Sequence, residues 1–265
     1  MRWPSMLVWA AVPLFTTGCW VTDAELLEWA GDSGLSGSGS GDNGGDNGGG
    51  SISIGLGLGL DVTSPHGLAF HDGQLWVGDW STSQLYTVDF DSGSVTPVID
   101  LLGENPVDMV SSGDRLWILT TAGALLEVDT DAGSFTEHTA DSGWTGLGYD
   151  GTWLVASTGG RALTFLRTDS VQAQYTISFG GPDGPAVVDD GAFVVATFDG
   201  SFLSLTGYDA THATTAGELG GDREGGLMSN DVTGIALDGG TAWVVGSGGA
   251  SSATLTSVDV SSPPW

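Results

Sequence analysis

Between Pro65 and Leu101, apolar and polar residues alternate in short runs separated by turn residues. Gly67–Phe70 is apolar, Asp72-Gly73 marks a turn, Leu75–Gly78 carries Trp76, and Leu85–Phe90 alternates. Asp91-Ser92-Gly93 turns the chain again before a fourth run, Val95–Leu101. Asp-Gly between such runs favours a hairpin, because glycine takes positive φ at no steric cost. The stretch therefore predicts four short antiparallel strands.

The unit recurs. An aromatic residue falls on each second strand, at Trp76, Trp117, Trp153, Phe193 and Trp243, at intervals of 41, 36, 40 and 50 residues. An aspartate closes the third strand at Asp91, Asp131, Asp169 and Asp209, at intervals of 40, 38 and 40. His66–Trp76 aligns without a gap on Thr233–Trp243, and Val88–Ser94 shares the VDxDxGS pattern with Val128–Ser134. A period near 40 with four strands per unit predicts an all-β fold, a β-propeller of five four-stranded antiparallel blades.

The last unit is one strand short, since little chain follows the run Leu255–Val260. Ile52, Ile54, Leu56, Leu58 and Leu60 alternate strictly, as a half-buried strand does. Lent to the last blade, this segment closes the ring and covers an edge otherwise left with unpaired backbone groups. The glycines at 55, 57 and 59 do not have dinucleotide-loop spacing. The propeller is expected over about 51–265.

What precedes it reads differently. Met6–Phe15 is apolar, and Thr16-Thr17-Gly18 leads into Cys19, the single cysteine of the chain. A short apolar run ending in small residues reads as a secretory signal. Its end resembles a bacterial lipoprotein signal over residues 1–18, which implies that Cys19 is lipidated and opens the mature chain; Thr16 stands where that pattern usually has Leu. Thr22 to Ala30 has capping-box spacing for a short helix. From Asp32 to Gly50 the chain is nearly all Gly, Ser, Asp and Asn, so residues 19–50 are expected as a lipidated, flexible tether. The expected address is the bacterial cell envelope, with the protein on a membrane and facing the periplasm or exterior.

Charge limits the partners. The chain carries 33 acidic and 5 basic residues, all of the latter Arg, for a formal charge of −28. Such a surface repels nucleic acid, whose binding runs on Lys and Arg. Beyond the membrane, a protein, a peptide or a small molecule remains as partner, and the chain is expected to act as a monomer. The absence of Lys excludes Walker-type phosphate loops.

Catalytic constellations are sparse. His71, His138 and His212 are expected at the surface, whereas His66 immediately precedes an innermost strand and can face the mouth of the propeller. Asp89, Asp91 and Asp100 match positions 1, 3 and 12 of a calcium loop, but the required glycine at position 6 is Ser94. Residues just before each first strand should line the central funnel. Acidic ones recur there, at Asp108, Asp141, Asp183 and Asp231, and converging carboxylates suit Ca²⁺, the one cofactor these residues suggest. No metal-ligand spacing beyond these carboxylates emerges.

Ser142–Ile177, with SGWTGLGYDGTWL at its start, resembles the central repeat of the five-bladed glutaminyl cyclotransferases; Leu75–Leu101 and Leu116–Thr120 are also similar to segments of that family. Propellers of the NHL kind share many of these blade-forming features. The resemblance implies a five-bladed propeller and an activity that forms pyroglutamate from N-terminal Gln, with Asp108, Asp141 and Trp144 as funnel residues. The family's Glu-Gly-Trp-Gly falls on Ser142-Gly143-Trp144-Thr145, so the acidic residue is displaced to Asp141 or lost. The residues favour a binding or scaffold module first and a cyclotransferase-like enzyme second. The first predicts no catalytic carboxylate with a strongly shifted pKa; the second requires one.

Overall fold

The computed structural model describes residues 50–51, 58–90, 92–140, 143–158, 162–179, 184–189, 192–198, 202–209, 215–222, 231–247 and 253–261. The signal segment, Cys19, the helix expected at Thr22–Ala30 and most of the tether lie outside them.

Two short strands come first, β1 (Gly50–Ser51) and β2 (Leu58–Leu60). Blade 1 follows as β3 (Pro65–His71), β4 (Gln74–Asp79), β5 (Gln84–Val88) and β6 (Val95–Asp100). Blade 2 is β7 (Pro106–Ser112), β8 (Arg115–Thr120), β9 (Ala124–Asp129) and β10 (Ser134–Thr139). Blade 3 is β11 (Trp144–Tyr149), β12 (Trp153–Thr158), β13 (Ala162–Arg167) and β14 (Ala173–Ser178). Blade 4 is β15 (Ala186–Asp189), β16 (Ala192–Phe198), β17 (Phe202–Asp209) and β18 (Thr215–Asp222). Blade 5 is β19 (Asp231–Asp238), β20 (Thr241–Ser247) and β21 (Ala253–Asp259), completed by β2. Each blade is an antiparallel meander, and the first strands β3, β7, β11, β15 and β19 stand next to one another in a closed ring. The protein is a five-bladed β-propeller.

The turn chemistry acts as expected. Asp72 and Gly73 both take positive φ, 50° and 73°, as a two-residue hairpin with primed geometry demands. His71 and Gln74 pair across it.

Strand alternation explains the ring. Successive side chains point to opposite faces of a sheet, so each blade presents one apolar set to each neighbour. In β8, Leu116 and Ile118 join the core shared with blade 1, while Trp117 and Leu119 join the core shared with blade 3. Phe193 and Val195 pack toward blade 3 and Val194 toward blade 5. The recurring aromatics are thus inter-blade wedges: Trp76, Trp117 and Phe193 are buried, Trp153 and Trp243 half-buried.

Ring closure follows the expected strand. Leu58, Gly59 and Leu60 pair antiparallel with Leu255, Thr254 and Ala253. Leu60 is 3 % exposed within the core between blades 5 and 1. The alternating residues Ile52, Ile54 and Leu56 lie outside the described residues. One feature was not foreseen: Gly50 and Ser51 pair parallel with Leu219 and Gly220, adding a fifth strand at the outer edge of blade 4.

Candidate functional site

The centre of the ring is built from close backbone approach. A Cβ on Gly67 would fall 2.9 Å from the Met109 nitrogen, and one on Gly234 would fall 2.8 Å from the Gly67 carbonyl carbon. Gly146 stands at the same level against Gly184 and Ala186. The first strands therefore run side by side in one direction, with their N-terminal ends together at one mouth.

Blade 2 breaks this pattern. Cross-strand register places Asp108 where blades 1, 3 and 5 have Gly67, Gly146 and Gly234. The Asp108 side chain reaches from blade 2 to the first strands of blades 3 and 4. Its Oδ1 accepts from its neighbour Met109 N–H at 2.9 Å; Oδ2 accepts from Leu147 N–H at 2.8 Å and Ala186 N–H at 2.9 Å. One carboxyl thus joins the first strands of blades 2, 3 and 4. The residue is 0 % exposed. Burial pushes its pKa up to about 8, with the three N–H donors pulling the other way. The binding reading excludes a strongly shifted catalytic carboxylate; the burial that shifts Asp108 also seals it from solvent. That burial corrects the placement of Asp108, which lies inside β7 as a sealed residue rather than on a loop lining an open funnel.

At the mouth, Asp79 organises blade 1. Its Oδ2 accepts from Thr63 N–H at 3.0 Å and Ser64 N–H at 3.4 Å. Its Oδ1 accepts from Ser81 N–H, the Ser81 hydroxyl and Thr82 N–H at 2.7, 2.6 and 3.1 Å. Burial raises its pKa, but these donors, the Ser81 hydroxyl foremost, outweigh burial and hold it below the ordinary value. The effect is to clamp the chain entering β3 onto the turn leaving β4. Trp80, in that turn, donates its backbone N–H to the Ser64 carbonyl at 2.8 Å, and the residue is left 43 % exposed. The His66 ring lies 6.4 Å from the Trp80 ring, and its Nδ1–H donates to the Ser64 carbonyl at 3.2 Å. Burial lowers the His66 pKa, against the Ser64 carbonyl and the Asp79 charge, which raise it. At neutral pH His66 is an uncharged ring whose Nε2 is an acceptor.

Of the expected funnel residues, His66 and Trp144 do sit at N-terminal ends of first strands, both half-buried, and Trp144 packs on the core between blades 2 and 3. Asp231 begins β19. Asp141 and Asp183 lie outside the described residues. Among the described residues no group of three or more His, Cys, Asp and Glu is placed to hold a metal ion. Asp89 and Asp100 each cap a local turn, accepting from Ser92 N–H at 3.0 Å and Leu102 N–H at 2.8 Å.

His71 corrects a second expectation. It is 2 % exposed rather than superficial. Its Nδ1 lies 2.8 Å from the Ser111 hydroxyl and its Nε2 3.2 Å from the Thr130 hydroxyl, both on blade 2. Only the turn after it is at the surface; the residue itself falls on the face of β3 that meets the next blade. His138 is half-buried on the outer strand β10 beside Glu127, and His212 lies outside the described residues. Trp80 and Asp79 were missed by sequence reasoning. The signal available was Asp79-Trp80 at a strand end, where blade 2 has Thr120-Thr121.

No family model and no curated protein matches the chain. Solved structures do. A glutaminyl cyclase from Myxococcus xanthus is similar with a TM-score of 0.61 and 20 % identity, over 79 % of this chain and 97 % of that one. BamB from Moraxella catarrhalis (TM-score 0.45, 10 % identity, 76 % of this chain and 86 % of that one) is a more distant likeness. So is a PQQ-bound aldose sugar dehydrogenase from Streptomyces coelicolor (0.45, 14 %, 78 % and 98 %). At these identities the likeness to the M. xanthus enzyme establishes a shared fold, the five-bladed propeller.

Proposed function

We propose that this chain is an extracytoplasmic propeller, held to a bacterial membrane by lipid on Cys19, that binds a ligand at the mouth carrying His66, Trp80 and Trp144 and does no chemistry on it. The enclosure of Asp108 carries this reading. A general acid or base must come within hydrogen-bond reach of the group it serves. Asp108 has the raised pKa such a role calls for, but it is sealed from solvent and its oxygens are engaged by three backbone N–H groups. The anchor rests on the position of the lone Cys19 after an apolar segment.

A second reading, a glutaminyl cyclotransferase-like enzyme with Asp108, Asp141 and Trp144 in its funnel, starts from the fold shared with the M. xanthus enzyme and from the Asp108 pKa. It requires Asp108 to be uncovered, or Asp141 to serve in its place. The two are separated by incubating the full chain with a Gln-initiated peptide and following ammonia release. No turnover above background is expected. Turnover that disappears in Trp144→Ala or Asp141→Asn would install the enzyme reading instead.

A further inference from the structure

We propose that Ser111 is an activated nucleophile, with His71 as its general base, and that it takes up the acyl group of an activated acyl donor. The site lies between blades 1 and 2, at the end of the first strands opposite the mouth, and is independent of what the mouth binds.

Four side chains meet there. Ser111 Oγ lies 2.8 Å from His71 Nδ1, and His71 Nε2 lies 3.2 Å from Thr130 Oγ1 and 3.5 Å from Asp72 Oδ2. A carboxylate can only accept, so Asp72 favours the tautomer with its proton on Nε2. Nδ1 then accepts from the Ser111 hydroxyl. A hydroxyl bonded to an imidazole that a further group orients is the arrangement that activates serine nucleophiles. His71 is 2 % exposed, whereas Ser111 and Thr130 are half-buried and Asp72 is exposed. The base thus lies beneath a hydroxyl-bearing residue that is partly open to solvent. Asp108 differs, because its oxygens meet only backbone N–H groups.

The fold does not require this bond. At the register of His71, blade 2 has Ser112, which stays within its own blade and accepts from Trp117 Nε1–H at 3.0 Å. His71 turns its nitrogens to Ser111, Thr130 and Asp72 instead. Nε1 of Trp76, at the register of Trp117, is left buried without an acceptor among the described residues, although the two rings are 6.5 Å apart. A buried donor left unmatched so that an imidazole can hold a serine is a local rule broken, and such breaks fall at functional sites.

In the proposed step, Ser111 Oγ attacks the carbonyl carbon of the donor as its proton passes to His71 Nδ1. The bond from that carbon to the leaving group breaks, the leaving group departs as an anion, and an acyl ester remains on Ser111. The imidazolium gives its Nε2 proton through Asp72 to water. A leaving group that departs unprotonated, as from an acyl phosphate or an aryl ester, suits a base buried this deeply.

The test treats the full chain in detergent with p-nitrophenyl acetate and follows acetylation of individual serines by proteolysis and mass spectrometry. Ser92 is the internal reference, exposed and bonded to the Ser94 hydroxyl rather than to a base. In the folded chain Ser111 should be acetylated about 100-fold faster than Ser92, the lower end of what a general base supplies. In urea the two rates should become equal. A purely structural hydroxyl predicts the reverse, with Ser111 protected in the folded chain and released in urea. His71→Gln should remove the advantage of Ser111 over Ser92. The comparison of folded and unfolded wild type depends on no variant. No acetyl group on Ser111, equal rates at the two serines in the folded chain, or an advantage that survives His71→Gln would overturn the proposal.

Discussion

The Asp108 carboxylate and the Ala186 N–H, 78 residues apart in sequence, meet at 2.9 Å at the centre of the ring. The same oxygen takes Leu147 N–H, so first strands from three successive blades converge on one side chain. Removing that acceptor leaves buried donors, which cost about 1–3 kcal/mol each when unmatched.

Asp108 should therefore make stability pH-dependent in a defined direction. Its folded pKa, about 8, lies above the ordinary 3.8, so the unfolded chain releases its proton first as pH rises. The contribution is fully present below about pH 4 and is lost as pH rises toward 8, on the order of 5 kcal/mol in all. Asn can keep the bonds from Leu147 and Ala186 but turns its NH₂ toward the Met109 N–H. Asp108→Asn should be less stable than wild type by about 1–3 kcal/mol at acid pH, and the gap should close and reverse before pH 8. Urea midpoints of the two proteins across that range measure it, with the other carboxylates cancelling in the difference. A gap that widens toward alkaline pH would mean that the three donors outweigh burial and hold Asp108 ionised.

The glycine level of the ring gives a second prediction. At Gly234 an added Cβ would fall 2.8 Å from the Gly67 carbonyl carbon and 2.9 Å from the Leu68 nitrogen, both backbone atoms with no side chain to yield. Blades 5 and 1 would have to separate, at about 1–3 kcal/mol. Gly234→Ala should lower the melting temperature clearly, while Gly59→Ala, with no atom within 4 Å of its Cβ, should leave it nearly unchanged. Similar melting temperatures for the two variants would show that the ring relaxes without strain.

The fold was legible because its signals are local and repeated. Asp72-Gly73 fixes a hairpin, and a wedge aromatic recurs once per unit. The axis was not legible, because what sets Asp108 apart is its neighbours from blades 3 and 4. In sequence it reads as one more aspartate near a proline, and only the ring shows that it occupies a glycine's place. His71 failed for a related reason: the turn beside it is exposed, but burial is decided by Ser111 and Thr130, some 40 and 59 residues away. The β1 pairing was hidden too, since Gly50-Ser51 has no apolar pattern to mark it as a strand beside Leu219 and Gly220.

Closure by the N-terminal strand makes the third prediction. β2 supplies the outer strand of blade 5, pairing Leu58, Gly59 and Leu60 with Leu255, Thr254 and Ala253. Leu60 packs in the same core as Leu255 and Val245 of blade 5 and Leu68 and Leu75 of blade 1, so the strand seals the seam between the last blade and the first. A chain beginning at Asp61 loses the burial of Leu60, worth about 1.5–3 kcal/mol. It also strips β21 of its outer partner, exposing edge backbone groups that invite pairing with another copy. Relative to a chain beginning at Ser51, it should melt several degrees lower and aggregate on heating. Deleting residues 36–47 from the full chain should leave the melting temperature nearly unchanged, because a Gly-, Ser- and Asp-rich tether adds no apolar burial. Equal melting temperatures for the chains beginning at Ser51 and Asp61 would mean that the ring holds without β2, and that the contacts of blades 5 and 1 alone stabilise the seam.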